Sequence, residues 1–215
     1  MLLEKFHQKL YKCTMKSSNS KNLKRDIEFL YEIGTLRFMQ RTWIQFLQVQ
    51  VADNADHIFR VMWIALTLAR YEGVKNEEKI IKMALLHDIA ETRAPDTNYI
   101  SKIYSTRDEE KALQHMLEDT VFAKDFEELF KEYEERKTIE SKIVKDADNL
   151  DVDFELSEIY AKGHTIKKIW QRDNVRKTFF TKTAEKMWDE LRTSDPYNWH
   201  KDTHNKYISD KDRKL

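Results

Sequence analysis

The stretch MALLHDIAETRAPD, residues 83–96, places a histidine and an aspartate side by side at the end of an apolar run. The apolar residues before them recur at helical spacing: Ile80, Ile81, Ala84 and Leu85. A helix that continued through His87 and Asp88 would turn both side chains towards the core. Because a buried carboxylate is costly unless it is paired or binds a metal, this pair predicts a bound cation.

Composition favours a helical fold around that stretch. The 215 residues include only 3 Gly and 2 Pro, with 40% hydrophobic and 35% charged residues. This length suits one domain with a sizeable core, and the scarcity of turn residues is atypical of a β protein. We predict an all-α helical bundle forming a single domain over residues 1–215. Its core spans about residues 23–191, with residues 1–22 and a polar tail, residues 196–215, at the periphery.

Helical periodicity recurs along most of the chain. Apolar residues follow it in seven stretches, residues 23–39, 54–73, 76–91, 108–123, 126–136, 138–163 and 174–192. Asn54 resembles an N-cap and Gly73 a C-terminal stop, which would bound the second of these helices. Alternation of period two is absent over any useful length, so no sheet is expected.

Charge and cysteine content exclude several classes of partner. The 38 Lys and Arg residues balance 38 Asp and Glu residues, so the chain lacks the basic excess typical of non-specific nucleic-acid binding. Cys13 is the single cysteine, which fits a reducing compartment. No apolar run approaches the roughly 20 residues that span a bilayer, and the first residues lack a signal-peptide core. We expect a cytoplasmic protein that binds neither membranes nor nucleic-acid polymers.

Two further helices carry metal-type ligands on their inward faces. His57 shares a stripe with Val61 and Leu68, and Asp148 lies one turn from Val144. A lone inward histidine is more often a hydrogen-bonded core residue, and Asp148 alone could belong to a solvated acidic face. Together with the His-Asp pair they are better explained by one divalent ion, since mixed imidazole and carboxylate ligands suit Mn, Fe, Co, Ni or Zn.

The order of these residues resembles the HD-domain superfamily of metal-dependent phosphohydrolases, in particular the branch of the 5′-deoxynucleotidases. Three stretches carry the resemblance, NADHIFRVMWIALTLA, KMALLHDIAETRAPD and IVKDADNLD. The resemblance implies an HD-domain bundle with the metal site between core helices. It also implies one divalent ion, Mn, Co, Ni, Fe, Zn or Mg, whose ligands are His57, His87, Asp88 and Asp148.

The same resemblance implies roles for four other residues. Glu91 and Asp96 would position and deprotonate water and handle the leaving group. Arg41 would bind phosphate, with Arg37 as a competing candidate, and Trp43 would form a wall for the base or sugar. Taken singly, these residues could instead be an exposed helix-end acid, a turn aspartate and solvated arginines.

We therefore predict a 5′-nucleotidase that hydrolyses (deoxy)nucleoside 5′-monophosphates to nucleoside and phosphate. The alternatives are hydrolysis of another phosphate mono- or diester, or a non-catalytic scaffold whose metal ties helices together. The stretch ADNADH replaces a glutamate-containing element of many relatives, which leaves base and sugar preference open. His115 and His164 are better explained as surface or hydrogen-bonded residues than as ligands of a second metal, and a homodimer is possible.

Overall fold

The regular structure is entirely helical in the part of the chain that the structure describes. A computed structural model describes residues 22–165, 170 and 172–201. No strand occurs within these residues, where pairing is limited to an isolated antiparallel bridge between Gln40 and Asp53. The predicted all-α class is therefore confirmed. Residues 1–21 and 202–215, which include Cys13 and most of the predicted polar tail, lie outside the described residues.

The described part contains nine α-helices and four short 3₁₀ turns. The helices are α1 Leu23–Ile33, α2 Ile44–Leu47, α3 Asn54–Tyr71, α4 Glu77–Leu86, α5 Glu109–Leu117, α6 Ala123–Glu135, α7 Ile139–Ala161, α8 Lys182–Leu191 and α9 Asn198–Lys201. The 3₁₀ turns are Gly34–Phe38, Ile89–Thr92, Ser101–Ile103 and Val175–Thr178.

Helices α3, α4 and α7 form the centre of the bundle, and each packs against the other two. Their facing stripes are apolar and fully buried, as at Leu68, Met83 and Leu150. Tyr133 of α6 and Trp188 of α8 are buried members of the same cluster. Burial of each such side chain stabilises the fold by ~1.5–3 kcal/mol relative to exposure to water. This cluster therefore fixes how the three helices face one another.

Helix α4 ends earlier than its sequence period predicted. Its last residue is Leu86, His87 is the C-cap, and Asp88 leaves the helical region with φ −119° and ψ 10°. The predicted helix through His87 and Asp88 was therefore wrong. The predicted stripe was also partly wrong, since Ile81 and Leu85 are exposed. Met83 and Leu86 are buried in their place, alongside Ile80 and Ala84.

The caps of α3 correct one prediction and confirm another. Asp53, rather than Asn54, is the N-cap, and its carboxylate accepts a hydrogen bond from the Asp56 N–H at 2.9 Å. This leaves the Asn54 side chain free to point into the protein. Gly73 follows the C-terminus with φ +72°, a conformation that glycine adopts without strain.

Three other predicted helices are interrupted. Residues 108–123 break between α5 and α6, where Asp119 takes a positive φ of 61°. Residues 174–192 break between the Val175–Thr178 turn and α8, because the Asp146 carboxylate accepts hydrogen bonds from the N–H groups of Phe180 and Thr181 at 2.8 and 2.9 Å. Residues 23–39 likewise change from α1 to a 3₁₀ turn at Gly34.

Candidate metal centre

Four side chains from three parts of the core converge on one point. One donor atom from each of His57, His87, Asp88 and Asp148 lies within 4.8 Å of all the others. The Nε2 atom of His57 is 3.3 Å from Asp148 Oδ1 and 3.4 Å from Asp88 Oδ2. The Nε2 atom of His87 is 3.3 Å from both Asp88 Oδ2 and His57 Nε2. Helix α3 supplies the first histidine, the end of α4 supplies the adjacent pair, and α7 supplies the last acid.

Both imidazoles are oriented by contacts to their other ring nitrogen. His57 Nδ1 lies 2.6 Å from Asp151 Oδ2, and His87 Nδ1 lies 2.7 Å from the Ala84 carbonyl oxygen. With a proton on each Nδ1, the Nε2 lone pairs and two carboxylate oxygens face the same space. This arrangement fits a divalent cation, because metal-binding histidines commonly donate their second N–H to a carboxylate or carbonyl.

The charges of the cluster perturb the pKa values of its members. Burial and Arg41 act to lower the pKa of His57, but its hydrogen bonds with Asp148, Asp151 and Asp88 outweigh them and raise that pKa well above its ordinary value. Burial acts against ionisation of Asp148, yet the charge of Lys145 and the hydrogen bond from His57 hold its pKa well below the usual range. The site therefore favours a positive charge at its centre.

Asp151 was not predicted, although its spacing offered a signal. It follows Asp148 by three residues and so lies on the same face of α7. Its side chain is 1% exposed, and the Arg60 guanidinium contacts its second oxygen while also binding Glu158 at 2.6 Å. These contacts hold the carboxylate that orients His57.

Asp146 faces a different part of the molecule from Asp148. Besides the two backbone contacts described above, it accepts a hydrogen bond from the Thr181 hydroxyl at 2.8 Å. It is fully buried and ties α7 to the start of α8. Of the other histidines considered, His115 is exposed on α5 and His164 contacts the Leu47 carbonyl at 3.1 Å, so neither joins the four converging side chains.

Arg41 lies beside the cluster, on the segment that follows the Gly34–Phe38 turn. Its Nη1 atom is 3.4 Å from Asp88 Oδ2, and its side chain is 11% exposed. Burial acts to lower the pKa of Arg41, but the charges of Asp88 and Asp148 raise it, so the guanidinium stays charged. The same guanidinium lies 5.1 Å from the ring centroid of Trp43. Arg37, the competing candidate, is exposed and stacks on Phe38.

Glu91 is buried in the Ile89–Thr92 turn, which directly follows His87 and Asp88. Asn54 donates a hydrogen bond to its Oε2 atom, and Arg107 Nη1 lies 3.4 Å from its Oε1 atom. Burial, together with the negative charges of Asp88 and Asp96, raises the pKa of Glu91 to about 8. A carboxylate whose pKa is raised in this way is a stronger base than an ordinary glutamate, and a cation bound beside it would favour its ionised form.

Asp96 lines a small cavity together with the buried Glu91. Its Oδ1 atom is 3.0 Å from Arg107 Nη1, and Lys102 Nζ is 3.4 Å from the same oxygen. The cavity measures about 210 Å³ and is lined by Arg41, Asn54, Glu91 and Asp96 among others. Nothing in the local sequence pattern marked Arg107, which follows Glu91 by sixteen residues.

The helices of the described part show no membrane span, since none is both long and apolar enough to cross a bilayer.

Comparison with known proteins agrees with this geometry. The chain is 30% identical to a Danio rerio protein named 5′-deoxynucleotidase HDDC2 over 167 residues, 75% of this chain and 79% of that protein. It is 31% identical to the Bos taurus protein of the same name over 67% of this chain and 71% of that one. A conserved hypothetical protein from Pyrococcus furiosus superposes with a TM-score of 0.64 at 26% identity, over 77% of this chain and 98% of that one. The HD domain family model matches residues 33–192, so the chain belongs to the HD domain family.

Proposed function

We propose that this protein is a metal-dependent phosphohydrolase that converts deoxynucleoside 5′-monophosphates to nucleoside and phosphate. The observation that carries the proposal is the convergence of two imidazoles and two carboxylates next to a buried arginine and a buried glutamate. The names of the Danio rerio and Bos taurus relatives, both 5′-deoxynucleotidases, support the substrate class.

His57, His87, Asp88 and Asp148 would hold one divalent ion, drawn from Mn, Co, Ni, Fe, Zn or Mg. When bound, such an ion lowers the pKa of water and polarises a phosphate oxygen. The protein contributes two charges of opposite sign around it, from Arg41 and Glu91. In a site this buried, each acts more strongly on the substrate than it would in bulk water.

Arg41 binds the substrate phosphate through its guanidinium, whose planar donors match phosphate oxygens. Its contact with Asp88 keeps it beside the ligand cluster. Trp43 packs under the guanidinium and provides the wall for the base or sugar. Arg41 therefore sets both the place and the orientation of the phosphate.

Glu91 acts as the general base. It takes a proton from water as the water oxygen bonds to phosphorus and the bond from phosphorus to the 5′ oxygen breaks. Asp96 lines the same cavity as Glu91 and passes that proton on to the leaving 5′ oxygen, so the nucleoside departs as its 5′ hydroxyl. A base held within hydrogen-bond reach of its water typically contributes ~10²–10⁴-fold to the rate.

Two alternatives make different predictions about the same residues. A phosphohydrolase for another mono- or diester would keep the metal and Glu91 but would act on different phosphate compounds. A scaffold would use the ion only to tie α3, α4 and α7 together. The scaffold gives Arg41 and Glu91 no purpose, although both are buried at the site and both would cost free energy there.

A substrate screen tests the proposal. Purified protein is loaded in turn with Mn, Co, Mg and Ni and assayed for phosphate release from deoxynucleotides, ribonucleotides, sugar phosphates and diesters. We expect release from deoxynucleoside monophosphates that is lost in an Asp88→Ala variant. Release only from other esters would favour the first alternative. No release from any of these compounds with any metal would refute the enzyme and leave the scaffold.

The remaining expectations concern the whole chain. We propose that residues 1–215 form a single HD domain with residues 1–22 and 196–215 peripheral, and that it acts in the cytoplasm on a small-molecule substrate. A homodimer is also part of this proposal, and sedimentation of the metal-loaded protein measures it.

A further inference from the structure

One guanidinium lies among three carboxylates at the edge of the site. Arg107 lies two residues before the first residue of α5, and its Nη1 atom is 3.4 Å from Glu91 Oε1 and 3.0 Å from Asp96 Oδ1. Its Nη2 atom is 2.5 Å from Glu109 Oε1. The Arg107 side chain is 22% exposed, so it is partly shielded from solvent. The two residues proposed to move protons are thus joined by one cation.

The buried glutamate is held at both oxygens. Asn54 of α3 donates a hydrogen bond to Oε2, and Arg107, sixteen residues further along the chain, contacts Oε1. A carboxylate held at one oxygen can still rotate about its last bonds, whereas contacts at both oxygens define its plane. The direction of the lone pairs therefore depends on Arg107 as well as on Asn54.

We propose that Arg107 is a positioning residue that holds Glu91 and Asp96 in a fixed relation to each other in the wall of the cavity. This proposal rests on the proposed function, which assigns those two acids to proton transfer. Arg107 acts through them and contacts neither the ligand cluster nor Arg41 through any ion pair or hydrogen bond among the described residues. Its pairing with Glu109 fixes the guanidinium at the start of α5.

Arginine is suited to this position because its donors lie in one rigid plane. A single Nη1 atom spans Glu91 and Asp96, while Nη2 contacts Glu109. A lysine would keep the charge, but its ammonium could not maintain all three contacts in one geometry. The order arginine, lysine, glutamine should therefore be the order of decreasing turnover.

Arg93 offers a matched control near the start of the same connection. Its guanidinium is also paired with a glutamate, since Nη2 lies 2.8 Å from Glu32 Oε2. That pair lies outside the cavity, and neither Glu91 nor Asp96 is its partner. Arg93→Gln thus removes a comparable ion pair without touching the two acids.

The first experiment measures turnover and metal content for Arg107→Gln, Arg107→Lys and Arg93→Gln. With a deoxynucleoside monophosphate, we expect Arg107→Gln to lower kcat by about 10- to 10²-fold, as small misplacements of reacting groups do, with KM and metal content unchanged. Arg107→Lys should recover part of the loss, and Arg93→Gln should resemble wild type. Unchanged kcat in Arg107→Gln, an increase confined to KM, or loss of metal would overturn the proposal.

A double-mutant cycle with Glu91→Gln tests whether Arg107 acts through the glutamate. In that background, Arg107→Gln should lower kcat much less than it does in the wild-type background. Equal losses in both backgrounds would mean that Arg107 acts independently of Glu91, and would refute the positioning role.

Crystal structures of metal-loaded Arg107→Gln and Arg93→Gln give a readout that does not need turnover. We expect the Glu91 and Asp96 carboxylates to move apart or lose order in the first variant only. Unchanged carboxylates in Arg107→Gln would overturn the proposal even if the enzyme is active. If wild type releases no phosphate, displaced carboxylates would still support the positioning role while the proposed function fails.

Discussion

Asp146 and Asp148 lie two residues apart on α7, yet their carboxylates project from opposite sides of the helix and have different partners. Asp148 Oδ1 is 3.3 Å from His57 Nε2, whereas Asp146 accepts hydrogen bonds from Phe180 and Thr181. Residues two apart in a helix differ by about 200° in direction, which accounts for the separation. One helix thus uses a pair of neighbouring acids for two unrelated purposes.

Exchanging each acid for its amide should separate these purposes. Asp148→Asn removes a charged ligand and should abolish metal binding. Asp146→Asn should keep the metal and lower the free energy of unfolding by ~1–3 kcal/mol, because one buried N–H loses its acceptor. Elemental analysis and denaturant unfolding measure the two effects. Loss of metal in Asp146→Asn alone would show that the ligand assignment on α7 is displaced by two residues.

Asp151→Asn should weaken metal binding although Asp151 is not counted among the ligands. An amide orients the imidazole of His57 less well and leaves Arg60 without its buried charge partner. Replacing such a partner typically costs ~10–100-fold in metal affinity, measurable by calorimetric titration. Glu158→Gln is the control, since Glu158 also pairs with Arg60 but is more exposed. Equal affinities in wild type and Asp151→Asn would contradict this prediction.

Metal binding should release a proton near neutral pH. Hydrogen bonds to acidic neighbours raise the pKa of His57 well above its ordinary value despite burial, so the metal-free imidazole is protonated there. Metal must displace that proton, and apparent affinity should therefore rise with pH until the raised pKa is passed. Titrations in buffers of different ionisation enthalpy should reveal about one proton per ion. An affinity that is flat from pH 6 to 8 would exclude this linkage.

Glu91→Ala should retain the fold and the metal while phosphate release falls by ~10²–10⁴-fold, the usual loss for a general base. The metal should survive because Glu91 contacts Asn54 and Arg107 instead of the ligand cluster. Metal content measured beside steady-state kinetics distinguishes this result from unfolding. If metal and activity disappear together, Glu91 belongs with the ligands.

Arg41→Ala should act on the substrate instead. We expect a higher KM, a lower kcat if the guanidinium follows the charge of the transition state, and an intact ion. Arg37→Ala is the matched control, because Arg37 is exposed, lies over the Phe38 ring and does not itself line the cavity. A rise in KM for Arg37→Ala with none for Arg41→Ala would make Arg37 the phosphate-binding residue.

Helical periodicity sufficed for the side chains that project from long, regular helices. His57 on α3 and Asp148 on α7 point inward because spacing translates directly into direction along such helices. Periodicity predicted the inward direction of the adjacent pair for the wrong reason, because it extended the helix through both residues. Neighbouring residues in a helix diverge by about 100°, and His87 and Asp88 meet the others because α4 ends at Leu86.

Residues that reach the site across a loop could not be predicted in this way. Arg107 lies sixteen residues from Glu91, and the intervening connection has no period that fixes its path. The prediction that Asn54 is the N-cap was wrong for a related reason. Asn and Asp are both common N-cap residues, so the sequence does not distinguish Asn54 from Asp53. Only tertiary packing brings its amide to Glu91 and leaves the cap to Asp53.

Two acids of α7 contact the two nitrogens of the His57 imidazole ring. Asp148 faces Nε2 of His57 at 3.3 Å and Asp151 faces Nδ1 at 2.6 Å, so turning the ring would break both contacts at once. The ring is therefore locked before any ion arrives, and little binding free energy is spent on ordering it. A chelator should accordingly strip the metal without erasing the shape of the site, and the emptied protein should take the ion up again without refolding.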